Sequence, residues 1–256
     1  MSAGADLAAF LLWPLLAGVA ALASHVPLGR VVLARGIVFV DLAIAQVAGF
    51  GALVGHMAGV DSVRGATQLC AVSFALAAAL ALAWTDRRVP RLQEALIGTL
   101  FVGTASLALL LIATDAHGAG HLRDLLVGQI LFAGPADLVP LVAAALLVAF
   151  ALARGWLARG GIGFYVAFAL AVTASVQVIG VYVVFATLIA PALAASAFTE
   201  RRAAPMAITS GIAGYLAGVS ASVWGDWPTG PCIVLALIAT TAAFALVGRA
   251  GAARED

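Results

Sequence analysis

A single carboxylate lies within an apolar stretch that is long enough to cross a lipid bilayer. Asp41 is found in RGIVFVDLAIAQVAGFGALVG, residues 35–55, where nearly every other side chain is apolar or small. An ionisable residue at membrane depth is costly to desolvate, so it faces a partner, water or an ion. Asp41 is therefore predicted to line an ion path. The sequence leaves an alternative open, which is a salt bridge to Arg30 or Arg35, or snorkelling to the interface.

A second group of potential ligands lies in TDAHGAGHLRDLLVGQIL, residues 114–131. This segment contains Asp115, His117, His121 and Asp124. Imidazole together with carboxylate suits a borderline cation such as zinc or manganese. His117 and His121 are four residues apart and would share a helix face, although the glycines between them favour a loop. We predict that His117 and His121 contact metal; the alternative is that they belong to an ordinary solvated loop.

The composition indicates that lipid is the solvent of this chain. Of its 256 residues, 64% are hydrophobic and only 10% are charged, and the mean hydropathy is +1.13. Soluble domains carry about 25% charged residues. All thirteen cationic residues are arginine, so a Walker A loop, which needs lysine, is excluded. The net charge of +1 without a basic patch gives no sign of nucleic-acid binding. The sequence contains neither an HExxH nor a GxSxG motif, so it gives no motif-based indication of an enzyme.

Apolar segments of about 20 residues predict an all-α, polytopic transmembrane bundle of eight to nine spans, which forms one transmembrane domain over residues 1–256. The segments are 6–26, 36–57, 65–85, 94–114, 135–153, 162–180, 181–198, 205–223 and 231–248. The run 162–198 is too long for one crossing, so we divide it near Gly180. His25 and His56 lie near segment ends and are predicted to be interfacial, and Cys70 and Cys232 to be unpaired core thiols.

The distribution of arginine predicts the orientation of the spans. Eleven of the thirteen arginines fall in the connections 27–35, 86–93, 154–160 and 199–204 or in the tail 249–256. The positive-inside rule places these segments in the cytoplasm, with the N-terminus outside. An eight-span count would leave Arg201 and Arg202 on the wrong side, so this pattern favours nine spans.

Small residues recur at a spacing that predicts close helix packing. Gly51 and Gly55 are four residues apart, as are Gly214 and Gly218. In membranes such pairs allow two helix backbones to approach closely. The sequence therefore predicts a compact bundle with glycine contacts on the segments that carry these pairs.

Five stretches in order resemble the membrane permease subunits of metal-ion ABC importers of the zinc and manganese uptake group. They are HVPLGRVVLARGIVFVDLAIAQVAGFG, QEALIGTLFVG, LLVGQILFAGPADL, ASVQVIGVYVVFATLIAPALAAS and DWPTGPCIVLA. The second span of such permeases usually begins Gly-Asp-x-Leu-x-His, with the acid and the imidazole on the metal path. Asp41 matches the acid, whereas Ala45 occupies the histidine position. Gln46, His56 or the external histidine pair would then compensate, or metal is passed on with fewer protein ligands.

The resemblance implies a permease that moves a divalent cation across the inner membrane by alternating access, with zinc favoured over manganese and iron. It implies a homodimer, a separate ATP-binding cassette ATPase, an extracellular metal-binding protein, and no cofactor held by this chain. The cytoplasmic segment 154–162 is shorter than is usual in this family, where it docks on the ATPase. A rival interpretation is an ion-coupled secondary transporter that works without an ATPase; against it, no internal repeat is visible.

Overall fold

The computed structural model describes residues 3–60, 65–112 and 130–252, and in these ranges the regular structure is helical. Its helices are α1 (Ala3–Arg35), α2 (Val40–Met57), α3 (Ala66–Arg88), α4 (Gln93–Ile112), α5 (Pro135–Ala153), α6 (Trp156–Arg159), α7 (Ile162–Ile179), α8 (Val181–Ala195), α9 (Glu200–Gly225) and α10 (Thr229–Ala252). Eight of these described helices are long and apolar enough to cross a membrane, while α8 is apolar but shorter. The predicted all-α, polytopic bundle is confirmed.

Helix α1 is longer than the sequence indicated. Residues 27–35 were predicted to be a cytoplasmic connection, but they form the last turns of α1, which ends before Gly36 at a φ of +68°. Leu28 and Val32 are fully buried, so the apolar face continues at helical spacing beyond Pro27. Burial of this face keeps the segment helical, and His25 therefore lies well inside α1 instead of near its end.

The long apolar run is divided at Gly180, as predicted. This residue ends α7 and begins α8, and its φ of 81° and ψ of 157° are accessible essentially to glycine alone. Its N–H donates to Val176 O (2.8 Å), and its carbonyl accepts from Val184 N (3.0 Å). The chain thus reverses within one residue while keeping its backbone hydrogen bonds.

Contacts between distant segments place the arginine-bearing ends together. Arg30 pairs with Glu200 (2.6 Å), and Arg35 pairs with Asp86 (2.8 Å). A β-carbon built on Gly161 would lie 3.2 Å from the Arg87 guanidinium. Both α7 and α9 therefore begin at the arginine-rich end, so α8, roughly 22 Å long, must bring the chain back to it. The described helices make nine passes through the bundle, eight of them of full length.

Helix α7 is the centre of the bundle. It packs against α1, α2, α3, α5 and α8, and Phe164, Tyr165 and Phe168 at its beginning are fully buried. Peripheral helices such as α4 and α10 expose large apolar side chains, including Leu110 and Leu235. Outward-facing leucine is expected where lipid surrounds the protein. Polar groups that are buried in the bundle are therefore sought around α7, away from this lipid-facing surface.

The glycine pairs make the close helix contacts predicted for them. A β-carbon on Gly51 would lie 2.7 Å from Phe74 Cβ, and one on Gly55 would lie 3.1 Å from Cys70, so α2 is held tightly on α3. Gly214 and Gly218 lie against the backbone of α10. Cys70 and Cys232 are free thiols, as predicted, although each is only half-buried.

We expect the Arg35–Asp86 ion pair to stabilise the fold more than the Arg30–Glu200 pair does. The side chains of Arg35 and Asp86 are 27% and 14% exposed, whereas Glu200 is 91% exposed. Asp86→Asn should therefore lower the free energy of unfolding by about 1.5–3 kcal/mol, because it removes a charged hydrogen bond from a shielded position. Glu200→Gln should cost less than about 1 kcal/mol. Thermal unfolding of both variants in detergent tests this; equal losses would contradict it.

Candidate functional site

Asp41 is a fully buried carboxylate with no partner among the residues that the structure describes. It lies in the first turn of α2, is 0% exposed, and neither Oδ1 nor Oδ2 accepts a hydrogen bond. The alternative of a salt bridge to Arg30 or Arg35 is not observed, since these arginines pair with Glu200 and Asp86. Snorkelling is likewise excluded by the burial. Leaving a buried carboxylate unpaired is unfavourable by several kcal/mol, so such a group calls for a functional explanation.

The start of α2 partly offsets the cost of burying Asp41. A carboxylate in the first turn of a helix interacts favourably with the positive end of the helix dipole. Glu94, in the first turn of α4, reaches the same region, where its Oε1 accepts from Phe39 N (3.4 Å). Its Oε2 is buried without a hydrogen-bond partner. Two carboxylates with unused oxygens therefore lie near the beginning of α2.

Arg35, the last residue of α1, joins several helices at the arginine-rich end of the bundle, near the beginning of α2. Besides its pair with Asp86, its guanidinium lies 5.2 Å from the centre of the Phe164 ring. It also packs on Gly160, where a β-carbon would come within 2.6 Å of Nη2 and where φ is +67°. The end of α1 is thereby connected to both α3 and α7.

A hydrogen-bond network around Gln93 connects α4 to α3 and α7 at the arginine-rich end of the bundle. Gln93 Nε2 donates to Tyr165 OH (2.9 Å) and to Leu82 O (3.0 Å), and Thr85 Oγ1 donates to Gln93 Oε1 (2.9 Å). Gln93 is 2% exposed, so these bonds form away from water. The helices α3, α4 and α7 are consequently joined at one level of the bundle, next to the Arg35–Asp86 pair.

Among the described residues, three further buried polar atoms without hydrogen-bond partners lie deeper in the bundle. They are His25 Nε2 on α1 and the hydroxyls of Thr173 and Ser175 on α7. The prediction that His25 is interfacial is wrong, because its side chain is 0% exposed. The reason is that α1 continues for ten residues beyond it. Its signal in the sequence is its place on the face of α1 that also carries Gly18, Leu22 and Gly29.

The other predicted residues are not gathered around Asp41 in the described part of the chain. His117 and His121 lie outside the described residues, as do Asp115 and Asp124. Gln46 and His56 are half-buried on α2. Among the described residues, no group of three or more His, Cys, Asp and Glu side chains is arranged to hold a metal.

This arrangement suits brief contact with a cation better than tight binding. A carboxylate that accepts no hydrogen bonds has its lone pairs free for a divalent ion, and unused hydroxyls can replace part of a hydration shell. A full cage of protein ligands would hold an ion strongly, whereas a few free oxygens would hold it weakly. The unpartnered polar atoms on α2 and α7 have the chemistry of weak contacts to a cation.

Comparisons with known proteins identify the family of the chain and a similar fold. The family model of the ABC 3 transport family matches residues 8–158 and 157–248, and the two matched stretches meet in α6. A solved structure described as PsaBC from Streptococcus pneumoniae in complex with Fab is similar in fold, with a TM-score of 0.71. Its sequence is 20% identical, and the match covers 93% of this chain and 90% of that one. No curated protein matches the sequence.

Proposed function

We propose that this chain carries a divalent metal cation into the cell. The proposal starts from its family, because the chain belongs to the ABC 3 transport family of metal-ion ABC transporter permeases. The cation would be zinc in preference to manganese or iron(II). The membrane would be the inner, or plasma, membrane, with the arginine-rich end in the cytoplasm as the positive-inside rule requires. ATP would be hydrolysed by a separate chain.

The observation that carries this proposal is the unpaired, fully buried carboxylate of Asp41. Arg30 pairs with Glu200 and Arg35 with Asp86, so neither guanidinium bonds the Asp41 oxygens, which remain available to a cation in the described part of the chain. A passing cation supplies the missing counter-charge, and its departure restores the costly unpaired state, which keeps the affinity low. Asp41 would thus draw a partly dehydrated ion into the bundle and release it when the helices move.

The preference for zinc comes from the ligand types along the chain. Zinc, manganese and iron(II) share nitrogen and oxygen ligands, but imidazole suits zinc better than it suits manganese. His117 and His121 are proposed to receive the ion at the outer end, where an extracellular metal-binding protein would deliver it. Ala45 offers no ligand next to Asp41, so the inner site would depend on fewer side chains.

The cytoplasmic end offers a surface for the ATPase. A cavity of about 360 Å³ opens there, lined by Arg87, Trp156 and Arg159 among others. Segment 154–162, which is short in this chain, forms one wall of this cavity, and α6 joins α5 to α7 there. ATP-driven movement at this place would reach the central helix directly. A second copy of the chain would complete the transporter, and alternating access would follow from rocking of the helices.

Purification of the tagged chain from its host, together with uptake measurements, tests the proposed function. We expect an ATP-binding cassette ATPase to co-purify, and we expect a strain lacking this chain to lose uptake of ⁶⁵Zn, ⁵⁴Mn or ⁵⁵Fe. Vanadate should block the uptake, whereas an ionophore that collapses the proton gradient should not. Uptake that resists vanadate and fails with the ionophore would support the rival, an ion-coupled secondary transporter.

A further inference from the structure

His25 is more deeply buried than His56, the other histidine in the described ranges. Its ring is 0% exposed, and Nδ1 lies 2.9 Å from Ala21 O and 2.8 Å from Ser24 Oγ. Because a carbonyl oxygen can only accept, the bond to Ala21 O forms in the tautomer that carries the proton on Nδ1. In this neutral tautomer Nε2 has a free lone pair, and the atom is buried with no hydrogen-bond partner among the described residues.

This bonding is the arrangement that prepares a histidine to bind a metal. Metal-ligating imidazoles usually donate their other N–H to a carbonyl or carboxylate, which fixes the tautomer and the ring orientation. Ser24 Oγ also donates to Ala21 O (3.0 Å), so the side of the ring that carries Nδ1 is fully engaged. Only Nε2 remains for a ligand.

The position of His25 places it around the same central helices as Asp41. Gly18 and Gly29, which share its face of α1, pack on Tyr215 of α9 and Leu188 of α8. Helices α7 and α8 each contact both α1 and α2, so they connect the helix of His25 to the helix of Asp41. His25 and Asp41 therefore belong to helices that share two packing partners.

Helix geometry gives the order of these groups along the bundle. His25 lies ten residues before the end of α1, or about 15 Å from the arginine-rich end. Asp41 is in the first turn of α2, so it lies roughly 10 Å closer to that end. Counted from the start of α7, the free hydroxyls of Thr173 and Ser175 lie at about 17 and 20 Å. Among these unpartnered groups of the described helices, His25 is the next one outward from Asp41.

We propose that Nε2 of His25 is a second contact point for the transported divalent cation, on the outer side of Asp41. This inference rests on the proposed function. His25 would supply the imidazole that is missing beside Asp41, where Ala45 occupies the usual histidine position. An imidazole at this place favours zinc over manganese, since carboxylate and water alone favour the harder ion.

The test compares His25→Asn with His25→Gln in the permease reconstituted with its ATPase. The amide of asparagine can still donate near the position of Nδ1, so this variant preserves the bond to Ala21 O and removes only the free nitrogen. Zinc uptake by His25→Asn should fall by roughly tenfold or more, while manganese uptake should change less than about threefold. Glutamine, whose amide reaches the Nε2 position, should retain more uptake. Ser210→Ala is the control: it also changes a buried polar side chain, but the Ser210 hydroxyl bonds only to Ala207 O of its own helix.

A second measurement does not depend on how well these variants fold. Replacing His56, His117 and His121 leaves His25 as the only imidazole of the four in the chain. X-ray absorption of zinc bound to this variant should still show scattering from an imidazole ring, and its loss would overturn the inference. Wild-type zinc uptake in His25→Asn would also overturn it and leave the proposed function standing. Wild-type protein that carries no divalent metal would instead refute the proposed function.

Discussion

Replacing Asp41 with asparagine is expected to reduce metal uptake by roughly 100-fold without weakening the fold. A hydrogen bond or contact to a charged group contributes about 1.5–3 kcal/mol, which corresponds to a factor of about 10 to 100. The amide is close in size to the carboxylate, so packing around α2 is preserved. Because both oxygens of Asp41 are buried without partners, removing the charge should keep or raise the melting temperature.

This combination of lost uptake and retained stability is the signature of a residue that is held for function. Uptake of ⁶⁵Zn and thermal unfolding in detergent, measured on the same preparations, provide the test. Asp86→Asn is the matched control, because its carboxylate is paired with Arg35 and its loss should lower stability. A destabilised Asp41→Asn variant, or one that transports at the wild-type rate, would remove Asp41 from the proposed path.

The sequence was sufficient for the features that depend on local pattern. Apolar length predicted the spans, and Gly180 was correctly predicted to divide the longest run because no single crossing needs so many residues. Asp41 was identified as unusual from its apolar surroundings alone. The glycine pairs on α2 and α9 were predicted from spacing, since close approach of two helices needs small residues at that interval.

Features that depend on distant parts of the chain could not be predicted. A hydropathy window ended the first span near Pro27, but contacts of α1 with α8 bury the face beyond it and extend the helix to Arg35. The same error placed His25 at an interface. Which carboxylate each arginine pairs with is also a tertiary property, so the free state of Asp41 became clear only once Glu200 and Asp86 were located.

The close approach of α1 to α8 is expected to be the packing contact least tolerant of change. A β-carbon on Gly29 would overlap the carbonyl oxygen of Leu188 and lie 3.2 Å from Ala192 Cβ. A backbone oxygen cannot move aside as a flexible side chain can, so the two helices would have to separate. Overpacking of this kind costs about 1–3 kcal/mol, and more for larger side chains. Gly29→Leu should therefore prevent the permease from accumulating, and Gly29→Ala should lower its melting temperature.

Glycines on α4 provide the control for the Gly29 series. A β-carbon on Gly103 would meet no atom within 4 Å, so Gly103→Ala should be neutral or stabilising by up to about 1 kcal/mol. Both alanine variants gain helix propensity, so a difference between their melting temperatures reports the contact of residue 29 with Leu188. Because Gly29 is one turn from His25, Gly29→Ala should also reduce zinc uptake per folded molecule, since a displaced α1 moves Nε2 away from α8. Equal melting temperatures for the two variants would show that α1 and α8 are packed less closely than described.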